Sequence, residues 1–378
     1  MRHAYHRLIE RFDAIVVGAG PAGSLAALLL ARAGLAVALL EQKRFPRDKV
    51  CGECLSAVGI DVLSRNGLIQ QIEAQHPPRL THAVIHPART TPLSVALPEP
   101  MLGLTRARMD QVMLESARLA GAQVLQPARC EQIETGSPAR VRYRTPDNIV
   151  KDVEAPAVIV ADGKAQTGES TGEFGVKFHI PRPRDWPGHT IELFALGEQT
   201  GYVGTASVEA NLLNVAAAVT EPVMARFGGQ LGALARHLIE TNDTLRERLG
   251  PDARPARVLT CPLPRHRWTD WPEGLVYVGN AARAIEPIGG GGMGAGVGAS
   301  ENSCQHIVKG IHAGRPVGRS DLIKDYDACW SARSFACRIG ALGLRNEGIG
   351  AWAVDAGRAS PWLGRMALVL AGKTASSR

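Results

Sequence analysis

Residues 12–41 read as strand, helix, strand: apolar runs at 12–17 and 36–40 flank a segment rich in Ala and Leu. Residues 42–55 are polar, charged and Gly-containing, and read as a loop. Helical spacing returns over 56–66, with Ser56 placed to cap its start and Gly67 to stop it. Over 80–105, apolar runs separated by proline predict short strands. Residues 106–121 carry helical spacing at Met109, Val112, Met113, Ser116, Ala117 and Ala120. Several short β-runs fill 124–160 and close on Ala161-Asp162-Gly163. Strands are predicted at 174–180, 191–195, 212–219, 259–263 and 275–279, with a helical patch at 222–240. A glycine cluster leads into a helix over 292–308, and 321–375 reads as mainly helical, broken by Gly and by Pro361. There is no internal repeat. The pattern is that of one α/β unit interrupted by a sheet-rich insertion and followed by a helical tail.

The first turn carries specific chemistry. Gly18-Ala19-Gly20-Pro21-Ala22-Gly23 spells G-x-G-x-x-G between strand and helix, and the second strand ends in Glu41. Gly18 permits the tight turn, Gly20 lets backbone N–H groups approach a pyrophosphate, and Gly23 lets the helix pack close to the strand. The helix start offers unpaired N–H donors and a positive dipole end. Glu41 is placed to accept from ribose hydroxyls, with Gln42 and Arg44 beside it at the adenosine or pyrophosphate end. A lone glycine pattern is weak, but strand, helix and acid all fit the dinucleotide fingerprint. The unit suits the adenosine diphosphate half of FAD or NAD.

Composition narrows the class. A chain of 378 residues with 45% apolar and 21% charged side chains is long enough for two or three domains. No apolar run is long enough to span a bilayer, and the basic start at 1–7 has no apolar stretch of a secretory leader behind it. Seven cysteines, an odd number, point to reduced thiols and a cytoplasmic setting. The net charge of +7 is scattered, which fits a solvated surface and mildly favours an acidic partner. Nothing pairs basic and aromatic residues as nucleic-acid binding would need. Cys51-Gly52-Glu53-Cys54 lacks the second pair that a zinc site requires, so no metal is expected.

Three more segments complete a larger pattern. Phe45-Pro46-Arg47-Asp48-Lys49-Val50-Cys51-Gly52 follows the acid; Asp162-Gly163 closes the middle strand; Gly279-Asn280-Ala281-Ala282 leads through Glu286-Pro287 into Gly289-Gly290-Gly291-Gly292-Met293-Gly294. In this order and spacing the set resembles the FAD-dependent superfamily of p-hydroxybenzoate-hydroxylase-type monooxygenases, flavin halogenases and geranylgeranyl reductases. The Pro-Arg-x-Lys-x-Cys-Gly element is most similar to the reductase branch. The resemblance covers roughly 12–312. It implies a Rossmann-like FAD-binding domain of the glutathione-reductase type (1–80, 100–168 and 270–315), an inserted antiparallel-sheet substrate domain (81–99 and 169–269) and a helical C-terminal region (316–378).

The resemblance also implies FAD rather than NAD as resident cofactor, with NAD(P)H as donor. Asn280 stands where the family has Asp, and still offers a side-chain acceptor. Arg108, at a helix start, matches a family arginine that contacts the cofactor. Lys49, Cys51 and Gly52 fall beside the flavin. Lys164-Ala165-Gln166 and the Trp268/Trp271 spacing depart from the family's nicotinamide and halogenase patterns. The glycines from 289 to 294 can lie against a flavin edge, and N–H groups near Met293 and Gly294 would favour negative charge there. Cys51 is an active-site wall on this reading and half of a redox dithiol on the rival one; Cys130, Cys261, Cys304, Cys329 and Cys337 read as small packing groups. His179, His189, Glu192, Tyr202 and Glu209 are the acid–base candidates of the insertion.

The leading expectation is a monooxygenase that hydroxylates an organic substrate through a flavin C4a-hydroperoxide. The alternatives are reduction of a carbon–carbon double bond and a dithiol or sensor flavoprotein. The substrate is expected to be a small molecule, free or tethered to a carrier protein or polypeptide. Residues 361–370, apolar with Arg365 and Lys373 nearby, suit a packed terminal helix or a peripheral contact with lipid.

Overall fold

The computed structural model describes residues 9–88, 91–163, 172–251, 253–264, 271–314 and 319–360, with Trp362 and Val369. The segments 1–7, Lys164 to Gln166, Trp268, most of 361–370 and the side chain of Cys329 lie outside the described residues. The first unit is a five-stranded parallel sheet in the order Leu275–Tyr277, Ala157–Val160, Ala14–Val17, Val37–Leu40, Gln123–Leu125. Its central strands are apolar at every position because both faces are covered. Ala14 and Val16 pack into the core beneath the helices, while Ile15 and Val17 face the opposite core. That second core is roofed by a four-stranded sheet carrying Ala139, Val141, Tyr143 and Val153. The helix Pro21–Arg32 starts with proline at its first position, where the missing N–H costs nothing.

The second unit is an eight-stranded mixed sheet. Its order is Val258–Pro262, Glu173–Pro181, Leu212–Thr220, Gly201–Val208, Thr190–Ala195, Arg79–His86, Leu93–Gly103, Cys54–Leu55. Three findings depart from the sequence reading. The strand Gly201–Val208 has no strong period and went unpredicted, yet it lies at the sheet's centre. The run over 80–105 is two long strands, and Leu93–Gly103 passes through Pro98 and Pro100. It can do so because its pairing with Arg79–His86 is interrupted between His82 and Leu80, so no ladder bond is asked of those prolines. The patch 222–240 is two helices, Glu221–Phe227 and Leu231–Glu240, parted at Gly228 in the left-handed region.

One face of this sheet packs Phe178, Phe194 and Val215 against helices that bring Leu234, Leu238 and Leu245. On the other face, the helix Arg319–Arg345 lays Ala341 and Leu344 on Ala195, Tyr202 and Ala218. The helix Glu347–Ala359 follows after a single residue, and Gly350 packs so close to the Gly343 carbonyl that a Cβ there would clash with it.

Candidate cofactor and substrate cleft

A cleft of about 250 Å³ opens between the two units. At its nucleotide end the glycine fingerprint acts by packing. Gly18 has φ +101°, and a Cβ there would lie 2.6 Å from the Ala161 carbonyl oxygen; one on Gly23 would lie 1.8 Å from that of Gly18. Only glycine admits this approach of helix, turn and neighbouring strand. Gly20, Pro21 and Ala22 line the cleft at the helix start. Glu41 is buried. Its carboxylate accepts from Ala19 N–H at 3.0 Å and Lys43 N–H at 2.8 Å, which fixes the turn and leaves further acceptor sites.

The cations are distributed differently from the sequence expectation. Arg108 is exposed, and so are Gln42 and Arg44. Arg106 instead lines the cleft, buried, with Nε and Nη2 each 2.7 Å from an oxygen of Asp110. Positions 106, 109, 110 and 113 share the inward face of the helix, and 108 points away. Burial opposes the Arg106 charge, but Asp110 and then Cys51 hold it, and its pKa is raised. Lys49 lines the cleft opposite Gly163, which has φ +70°. Burial, and next the Arg106 charge, lower Lys49 to about 8. Arg47 sits 3.9 Å from Glu41 with a buried Nε that has no hydrogen-bond partner among the described residues.

The middle of the cleft is built on Cys51-Gly52-Glu53-Cys54, all four of which line it. Glu53 is fully buried and left-handed, with φ +57°. One oxygen accepts from Arg106 N–H at 2.7 Å and Lys177 Nζ at 2.5 Å; the other meets His179 Nε2 at 2.6 Å. Two distant segments, the helix start at Arg106 and the strand Glu173–Pro181, are thereby fixed to one turn. The Cys51 Sγ accepts from Glu53 N–H at 3.4 Å, and the Cys51 carbonyl from Asn214 Nδ2 at 3.1 Å. Neither Cys51 nor Cys54 is in a disulfide, and among the described residues no group of side chains could hold a metal ion.

At the far end, Gly279 and Gly290 have φ +60° and +58° and shape the approach to the helix Gly292–His312. This helix starts on Gly291 without a side-chain cap among the described residues, at a cleft that Asn280, Gly292 and Met293 line, so its first N–H groups can turn to a ligand there. Gly294 is buried behind them and does not line the cleft. A Cβ there would lie 2.1 Å from Ser56 Oγ and 2.9 Å from Gly59 N, so the helix crossing itself requires glycine. Asp162 likewise stands behind Gly163, half-buried.

The opposite wall is aliphatic: Ile191, Leu193, Ala216, Ala218, Leu263 and Ile288. Tyr202 stands in it and donates to Glu286 at 2.7 Å; burial, then the Glu286 charge, hold its hydroxyl protonated far above the usual tyrosine range. Arg345 lies over the Tyr202 ring and pairs with Glu173. The remaining acid–base candidates are committed elsewhere. Glu192 faces the distal core and binds His86 and Arg248, both at 2.7 Å. Glu209 caps the helix start through Thr105 N–H, and His189 packs edge-on to His82.

The residues suit a dinucleotide. A side-chain-free turn, an open helix start and the cations Arg106 and Lys49 lie at one end, and a second uncapped helix start lies at the other. The FAD binding domain family matches residues 11–328. A digeranylgeranylglycerophospholipid reductase of Methanopyrus kandleri is 29% identical over 75% of this chain and 73% of its own length. A menaquinone reductase of Mycolicibacterium smegmatis is 25% identical over 85% and 79%. A flavoprotein/dehydrogenase from Cytophaga hutchinsonii has the same fold, with a TM-score of 0.80 over 96% of this chain and 93% of its own, at 20% identity. With family, fold and cleft in agreement, the chain belongs to the FAD binding domain family of FAD-dependent oxidoreductases.

Proposed function

We propose that this oxidoreductase reduces a carbon–carbon double bond of an apolar, isoprenoid-class substrate, with NAD(P)H or another reductant as the electron source. The observation that carries the reading is the juxtaposition of Cys51 and the Gly290–Met293 turn with an aliphatic wall. Such a wall gives a hydrocarbon its binding free energy and offers little to orient a polar substrate. The Pro-Arg-x-Lys-x-Cys-Gly element and the two reductases aligned over most of their lengths support the same reading.

Bound FAD would supply the hydride carrier. The chain's own residues do the rest. Gly20, Pro21 and Ala22 present the helix start to the phosphates, with Lys49 and Arg106 as counter-charges. Asp110 holds Arg106 in one orientation. The uncapped start of the helix Gly292–His312 stabilises negative charge at the cleft and so favours the reduced cofactor. The sheet-rich insertion excludes water from the reacting end. Cys51 lines this region, and on this reading its Sγ–H gives the proton to the carbon that does not receive hydride. Tyr202, held protonated and bonded to Glu286, fixes the turn that leads to Gly290 at the cleft.

The test is the product mass under strictly anaerobic conditions with a chemical or nicotinamide reductant. Reduction adds two hydrogens, about 2 mass units, and proceeds without O₂. A product heavier by about 16 mass units that forms only in air would replace this reading with hydroxylation. Cys51→Ser should slow turnover while leaving FAD binding intact.

A further inference from the structure

The helix Arg319–Arg345 has two apolar faces, and the cleft accounts for only one. Inward, Ala341 and Leu344 roof the substrate wall with Leu193, Tyr202, Leu263 and Ile288. Outward, Phe335, Ile339 and Leu342 are 68%, 51% and 49% exposed, with Arg338 exposed between them. Their spacing of three and four residues puts all four on one stripe. The next helix adds Trp352, 72% exposed, and Ile349. Of the nine large apolar side chains most exposed in the described chain, only Leu119 and Ile149 lie outside these helices and the tail after them. A soluble surface does not concentrate such groups without a partner.

Charge identifies the partner. Residues 328–346 contain Arg333, Arg338 and Arg345 and no acid; Arg345 is held inward by Glu173 and the Tyr202 ring, so Arg338 is the exposed charge of the stripe. Residues 328–378 contain seven basic and two acidic side chains, so this region holds five of the chain's seven net positive charges. A second copy of the chain docking through this stripe by a two-fold axis would bring Arg338 toward its own mate, like charge against like. An anionic lipid surface neutralises Arg338 and also accepts the aromatic and aliphatic groups beside it. No described helix is long and apolar enough to cross a membrane, so the contact lies in the interface plane.

We infer that the outward face of the helices Arg319–Arg345 and Glu347–Ala359 docks on an anionic phospholipid surface, which places the roof of the cleft against the bilayer. This inference is independent of the reaction proposed above, because it is read out by binding alone.

The experiment is flotation of the full-length, FAD-loaded protein with vesicles of phosphatidylglycerol or of phosphatidylcholine. The native chain should float with phosphatidylglycerol vesicles and much less with phosphatidylcholine, and salt should weaken the binding. Phe335→Glu with Ile339→Glu should lower the partition coefficient by about tenfold or more, since two apolar anchors become charged. Arg338→Glu should remove the preference for anionic lipid. Leu119→Glu, at a still more exposed apolar position on another helix, should change nothing; all variants should keep the native melting curve. Native protein that ignores phosphatidylglycerol vesicles, or a double variant that floats as well as the native chain, overturns the inference. So does light scattering that shows a native dimer split by the double variant, because a second copy then covers the face.

Discussion

Replacing Glu53 by Gln tests how the cleft is held together. The carboxylate is fully buried and serves three donors: Arg106 N–H, Lys177 Nζ and His179 Nε2. A glutamine offers one acceptor oxygen and turns an N–H₂ group toward the remaining donors. At least one buried donor then loses its partner, and Lys177, only 1% exposed, loses its nearest counter-charge. Removing one member of a buried pair costs about 3–5 kcal/mol. Asp48 stays 3.6 Å from Lys177 and is partly exposed, which lowers the expectation to roughly 2–4 kcal/mol. The assay is urea denaturation of flavin-free protein followed by far-ultraviolet circular dichroism. Because the penalty comes from a stranded charge, Glu53→Gln with Lys177→Met should recover about half of it. A loss below about 1 kcal/mol, or strictly additive effects of the two changes, would refute the argument that Glu53 anchors this turn by charge.

Arg106→Ala should weaken FAD binding by about tenfold or more, whereas Arg108→Ala should leave it within about twofold, as fluorescence titration will show; equal effects would reverse the assignment of the inward arginine. Lys49 has an ordinary value of 10.5 and sits near 8 in the folded chain, so between these values the unfolded chain holds a proton that the folded chain has released. Flavin-free stability should therefore gain from this group as pH rises from about 8 to 10.5, and Lys49→Met should remove that gain. Iodoacetamide at pH 8 should modify half-buried Cys51 and be blocked by FAD, while Cys304, whose thiol is raised by burial and then by the charge of Glu301, should react only after denaturation. Peptide mass mapping reads both sites.

Much of the nucleotide end was legible because each position there obeys a local rule. The strand–turn–helix of 14–32 follows from period and glycine placement, and Glu41 from its place at the end of a strand. The helix after the 289–292 glycines follows in the same way. The distinction between Arg106 and Arg108 was also in the sequence, in Asp110. An acid four residues after Arg106, among Met109 and Met113, marks an inward ion pair, whereas Arg108 has no such companion. Residues 201–208 were missed because Gly201, Gly204, Thr205 and Ala206 show no apolar alternation. Their strand is fixed by neighbours on both sides, which a local window does not contain. Glu53, Lys177 and His179 meet across 126 positions of chain, and nothing in their spacing announces it. Gly294 was read as a flavin contact, but its lack of a side chain answers to Ser56 and Gly59.

The central claim is that one cleft grips FAD through the Gly18–Gly23 turn and the start of the helix Gly292–His312. Its most direct test is titration of purified, unliganded protein with FAD, following the visible absorption retained after gel filtration. The native chain should retain one FAD per chain. Gly20→Val, whose Cβ would lie 3.7 Å from Arg106 Nη2 and whose side chain would fill the nucleotide end of the cleft, should fold and retain little or none. A native chain that stays colourless, or a Gly20→Val variant that retains FAD as well as the native chain, would contradict the account.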